Sequence, residues 1–87
     1  MLQLSKKVEY GLMALRHMAL NPSGQFFTAK EIAVRCDIPY DLLAKVLQKL
    51  SKAGLLVSLQ GMRGGYSLAR RPDELQVSKI IQVIEEE

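Results

Sequence analysis

The chain has 87 residues, 48% apolar and 24% charged, enough for one small domain with a core and too apolar for intrinsic disorder. Its net charge of +3 conceals a gradient: Leu42 to Pro72 holds no acid but carries Lys45, Lys49, Lys52, Arg63, Arg70 and Arg71, while the acids Glu85, Glu86 and Glu87 stand together at the other end. One cysteine and one histidine exclude an internal disulfide and a four-ligand zinc site, and no apolar run forms a signal peptide or nears the roughly 20 residues of a membrane span, so a cytoplasmic protein with no membrane partner is expected.

From Ser5 to about Leu20, Val8, Leu12, Leu15 and Ala19 recur at helical spacing, with Met13 and Met18 widening the stripe as core residues and Ser5 placed as N-cap. Asn21-Pro22-Ser23-Gly24 ends that helix. Thr28-Ala29-Lys30-Glu31 is a capping box that opens a short helix over 29–36, with Ile32 and Ala33 inward. Asp37-Ile38-Pro39 predicts a turn, and Pro39 suits the first turn of the next helix because it has no N–H to lose. That helix, over 39–52, sets Leu43, Val46, Leu47 and Leu50 on one face, with Gly54 as its C-terminal cap.

The period then shortens. Residues 55–59 and 66–69 are strand candidates around the glycine-rich turn Gln60-Gly61-Met62-Arg63-Gly64-Gly65, a β-hairpin. Val77, Ile80, Ile81 and Ile84 mark a final helix begun near Ser78. The order helix, helix, helix, strand, strand, helix predicts a mainly α fold with a small β-hairpin, a single winged helix-turn-helix domain over 1–87.

A helix-turn-helix pair alone is as common in packing as in nucleic-acid binding. The outer face of helix 39–52 adds chemistry. Tyr40, Asp41, Ala44, Lys45 and Gln48 lie where a recognition helix meets base edges in the major groove: Gln48 pairs with adenine, Lys45 with guanine, Asp41 accepts from cytosine, and Ala44 permits close approach. Lys49 and Lys52, further along, are placed to hold phosphates, which position without specifying. In the wing 60–65, Gln60, Met62 and Arg63 bear the side chains, and Arg63 suits a narrow, electronegative minor groove. Tyr66 offers a ring to pack and a hydroxyl for phosphate. Positive φ values would explain the glycines but not Arg63.

The segments Leu4-Ser5-x-Lys7-x-x-Tyr10, Glu31-Ile32-Ala33, Leu47-x-Lys49-Leu50-x-Lys52-Ala53-Gly54-Leu55, Gly61-x-x-Gly64-Gly65-Tyr66-x-Leu68-Ala69 and Ile80-Ile81-x-Val83-Ile84-Glu85 resemble the Rrf-two family of bacterial winged-helix transcriptional regulators. The resemblance implies a homodimeric regulator, read here as a repressor, that binds double-stranded DNA at a partly palindromic operator. It also implies that Lys7 and Thr28 approach phosphate from the starts of their helices. Two departures stand out. Gln60 occupies a position where many relatives carry arginine, and the three cysteines that hold an iron–sulfur cluster in some members would lie past Glu87, as would the long dimerisation helix. No cofactor is assignable within these residues, and an iron–sulfur cluster is expected only if the natural chain continues past Glu87 with cysteines.

Cys36 reads as a small buried or half-buried residue, and His17 as a surface or dimer-contact histidine. No phosphate loop, paired carboxylates or Ser/His/Asp set can be assembled, so catalysis is not expected. The alternative to DNA binding is a winged-helix interaction module whose basic face docks an acidic protein.

Overall fold

The computed structural model describes residues 4–21, 25–61 and 64–86. The elements, in order, are α1 (Lys6–Leu20), α2 (Ala29–Cys36), α3 (Tyr40–Lys52), β1 (Leu56–Leu59), β2 (Gly65–Leu68), a 3₁₀ turn over Pro72–Glu74 and α4 (Val77–Glu85).

The Ser5 hydroxyl caps α1 by accepting from the Val8 N–H at 3.3 Å. Its buried face is Val8, Gly11, Ala14, Leu15 and Met18, rotated from the predicted stripe. Leu12 is only half-buried against the core, and Met13, expected inside, is 41% exposed. The rotation has a steric cause at Gly11. A Cβ there would stand 2.5 Å from Ile84 Cδ1 and 3.1 Å from Val46 Cγ1, so α3 and α4 close on α1 over a residue with no side chain.

The predicted capping box of α2 is formed: Thr28 Oγ1 accepts from the Glu31 N–H at 3.0 Å, and the Glu31 carboxylate accepts from the Thr28 N–H at 3.1 Å. Asp37 ends the helix in the left-handed region at φ 56°, where its short polar side chain is better tolerated than most. The Ile38 N–H then donates to the Ala33 carbonyl at 2.9 Å, which turns the chain and buries Ile38. Pro39 stands just before α3, as its N-cap, and its carbonyl accepts from the Leu43 N–H. Leu43, Val46, Leu47 and Leu50 are all buried, as their spacing predicts. At the far end Gly54 has φ 82°, and the Leu55 N–H reaches back to the Leu50 carbonyl at 3.0 Å. This Schellman closure satisfies the last carbonyls of α3 and aims the chain into β1.

β1 and β2 pair antiparallel, Leu56 opposite Leu68 and Leu59 opposite Gly65, with the return strand one residue earlier than the pattern indicates. Phe27, which the periodicity does not single out, bridges to the other edge of β2: its N–H donates to the Tyr66 carbonyl at 2.8 Å and its carbonyl accepts from the Tyr66 N–H at 2.7 Å. The wing is thereby sewn to the segment before α2. Gly65 makes the seam fit, since a Cβ there would lie 2.6 Å from the Phe27 carbonyl oxygen and its φ is 148°. Gly65→Ala is therefore expected to destabilise the fold by about 2–3 kcal/mol and to lower the melting temperature by roughly 10–20 °C. A melting temperature equal to that of the wild type would show that the seam carries no stability.

The 3₁₀ turn, which the sequence pattern did not indicate, is held by the Arg71 N–H donating to the Glu74 carboxylate at 3.0 Å. In α4 the buried residues are Ile80, Val83 and Ile84, while Val77, expected to mark the apolar face, is 57% exposed. The helix begins one residue earlier than predicted, which puts Val77 in a first turn that projects beyond the core. The core runs between α1, α3 and α4, extends under α2 and the base of the hairpin, and buries no polar or charged residue among those described.

Candidate nucleic-acid interface

Because Leu43, Val46, Leu47 and Leu50 bind α3 to the core, the opposite side of a helix with about 3.6 residues per turn is pushed into solvent. Tyr40, Asp41, Lys45, Gln48 and Lys52 are exposed there and Ala44 is half-buried, so the structure brings these six predicted residues to one side of α3. None of the side chains of Tyr40, Asp41, Lys45, Gln48 and Lys52 makes a hydrogen bond or ion pair to another described residue. Tyr40 keeps 53% of its surface open to solvent, a large amphipathic side chain on the outward side of the helix. No side-chain cap closes the N-terminus of α3, and Asp41 in its first turn complements the positive end of the helix dipole, a local role beside any contact with a base.

The remaining predicted residues are placed differently. Lys49 turns away from that face: its ammonium donates to the Ile84 carbonyl at 3.1 Å and to the Glu86 carbonyl at 2.6 Å. Thr28 has its backbone N–H and hydroxyl oxygen engaged with Glu31, leaving the hydroxyl hydrogen free to donate. Lys7 is half-buried in the first turn of α1. Tyr66 is half-buried, packs against the core and pairs through its backbone with Phe27, so it anchors the base of the wing. Gln60 is exposed at the exit of β1, next to Gly61 at φ 113°. Met62 and Arg63, the tip residues singled out in the sequence, lie outside the described residues.

His17 and Cys36 flank a shallow cavity with Met13, Arg16, Leu20 and Arg35. The His17 ring meets Phe27 edge to face at 5.3 Å, so one edge of it packs within the chain. Cys36 is half-buried against the core, in line with its reading as a small apolar residue. Among the described residues no three His, Cys, Asp or Glu side chains gather as metal ligands, and no helix is long and apolar enough to cross a membrane.

A helix-turn-helix whose second helix turns a polar, unpartnered side outward, followed by a hairpin wing, defines a winged helix-turn-helix domain. The chain belongs to the Rrf2 (Rrf-two) family, described as an iron-dependent transcriptional regulator, whose match covers residues 4–87. Its fold superimposes on CymR, the global cysteine regulator of B. subtilis, with a TM-score of 0.90 and 32% identity, covering 100% of this chain and 67% of that one. IscR of T. potens gives a TM-score of 0.86 with 37% identity, over 97% of this chain and 61% of that one. The HTH-type transcriptional regulator NsrR of Halalkalibacterium halodurans is 32% identical over 85 residues, 98% of this chain and 58% of NsrR. The chain spans 54–58% of the length of the curated relatives it matches. The family is one of transcriptional regulators, not of enzymes.

Proposed function

We propose that this domain is the double-stranded-DNA-binding part of a cytoplasmic transcriptional regulator, with α3 in the major groove and the wing over 60–65 against the backbone and minor groove. The observation that carries the reading is the outward side of α3: Tyr40, Lys45, Gln48 and Lys52 stand in solvent without hydrogen-bond or ion-pair partners among the described residues, directly behind a fully buried apolar stripe that fixes the helix. In this reading Tyr40, Asp41, Ala44, Lys45 and Gln48 meet base edges, and Lys7, Thr28, Lys52, Gln60, Met62, Arg63 and Tyr66 serve backbone or minor groove. Relatives named as regulators of the same fold support it, and we extend it to a homodimer acting as a repressor.

Iron dependence is part of the family's description. The residues present here do not fit an iron–sulfur cluster: Cys36 is the single cysteine and the described residues gather no ligand set around it.

The test separates reading from positioning. Fluorescence anisotropy with a duplex selected from a randomised library, and with random duplex, is expected to show Gln48→Ala losing about 1–3 kcal/mol on the selected site only. Lys52→Gln is expected to weaken both duplexes alike. Equal losses on both duplexes for both variants would overturn the assignment of roles. Failure of the wild type to bind random duplex at low salt would point instead to an acidic protein partner.

A further inference from the structure

We propose that Lys49 is a positioning residue for DNA recognition: it locks the roll of α3 against the last turn of α4 and neutralises no phosphate. The inference rests on the DNA-binding reading above and sharpens it, because charge alone would group Lys49 with Lys52.

α4 ends at Glu85; the Glu86 N–H donates to the Gln82 carbonyl at 3.0 Å, and the Ile84 carbonyl has no donor within the helix. The Lys49 ammonium supplies donors to two carbonyls at this end, Ile84 at 3.1 Å and Glu86 at 2.6 Å, and places a cation at the negative end of the α4 dipole. Charge-assisted hydrogen bonds are about twice as strong as neutral ones. An ammonium has three donors, so only one remains, and the two carbonyls rather than a phosphate set where it lies.

The same turn of α4 is held from its other side. The Ser5 hydroxyl donates to the Glu85 carboxylate at 2.7 Å while capping α1. Below this, Val46 of α3 and Ile84 of α4 converge on Gly11 of α1. α3 is thus pinned at two levels: its apolar stripe, here at Val46, holds the inner side, and Lys49, nearly one turn later, holds a flank outside that stripe. A helix pinned at two levels is fixed about its own axis. That rotation decides whether Gln48, adjacent in sequence to Lys49, presents its amide to a base edge or to a phosphate.

The experiment compares Lys49 with Lys52. In the wild-type chain labelled with ¹⁵N-lysine, the Lys49 ammonium is expected to show slowed hydrogen exchange before any DNA is added. It should stay unshifted when a short random-sequence duplex is titrated in, while Lys52 shifts. Lys49→Met is expected to cut the affinity ratio of library-selected over random duplex by roughly three- to tenfold with no change in salt slope, and Lys49→Arg to restore the ratio. Lys52→Gln should lower the slope by about 0.9 with the ratio intact. A slope that falls equally for Lys49→Met, or a ratio that does not move, overturns the proposal. Should Lys49→Met fail to fold, the ammonium spectrum decides, and exchange as fast as that of Lys52 in the free protein overturns it. If the wild-type slope is itself close to zero, it is the nucleic-acid reading that fails.

Discussion

Raising the salt concentration from about 50 to about 200 mM is expected to weaken binding of this domain to random duplex DNA by roughly 150-fold. Non-specific affinity comes from counterions released as cationic side chains meet phosphates, each contributing about −0.9 to the slope of log K against log salt. On random duplex, where Lys45 has no selected base to pair with and falls to phosphate like Lys7, Lys52 and Arg63, four cations set the slope near −3.6 per chain by the same relation. Including Lys49 would steepen it to about −4.5. The slope therefore tests the interface as a whole and, in its size, the separate role given to Lys49. A nearly flat salt dependence would remove the electrostatic basis of the proposal, whatever the fold resembles.

Leu50→Ala is expected to cost about 2–5 kcal/mol, a large share of the roughly 4–13 kcal/mol that a domain of this size possesses. Leu50 is fully buried and belongs to the last full turn of α3. Its own carbonyl receives the Leu55 N–H that closes the helix and starts β1, so a cavity there loosens the helix end and the wing together. Denaturant titration should show a lower midpoint with an unchanged slope. Met13→Ala is the control, since the side chain stands 41% exposed and its loss should stay within about 0.5 kcal/mol. Equal costs for the two variants would contradict the placement of the core.

Much of the scaffold was readable because its signals are local. The Ser5 cap, the Thr28–Glu31 box, the Gly54 closure and the α3 stripe each depend on residues a few positions apart, and each is present. The errors fall where distant elements meet. Met13 and Val77 fit an apolar period yet face solvent, while Gly11, silent in a hydrophobic pattern, lies where α1, α3 and α4 touch. Phe27 was passed over because a single bridge to Tyr66, 39 positions away, leaves no periodic trace.

The interface divides along the same line. The outward side of α3 follows from its inward stripe, since an amphipathic helix buried on one side must display the other, and so Tyr40, Lys45, Gln48 and Lys52 could be named from spacing alone. Lys49 could not be separated from them in this way. Helical position and charge make it a neighbour of Lys52, and only the packing of α4 beside α3 supplies the Ile84 and Glu86 carbonyls that occupy its ammonium. Periodicity settles which side of a helix faces water; which lysine remains free for a phosphate depends on carbonyls brought close by the folding of a segment some 35 residues further along the chain.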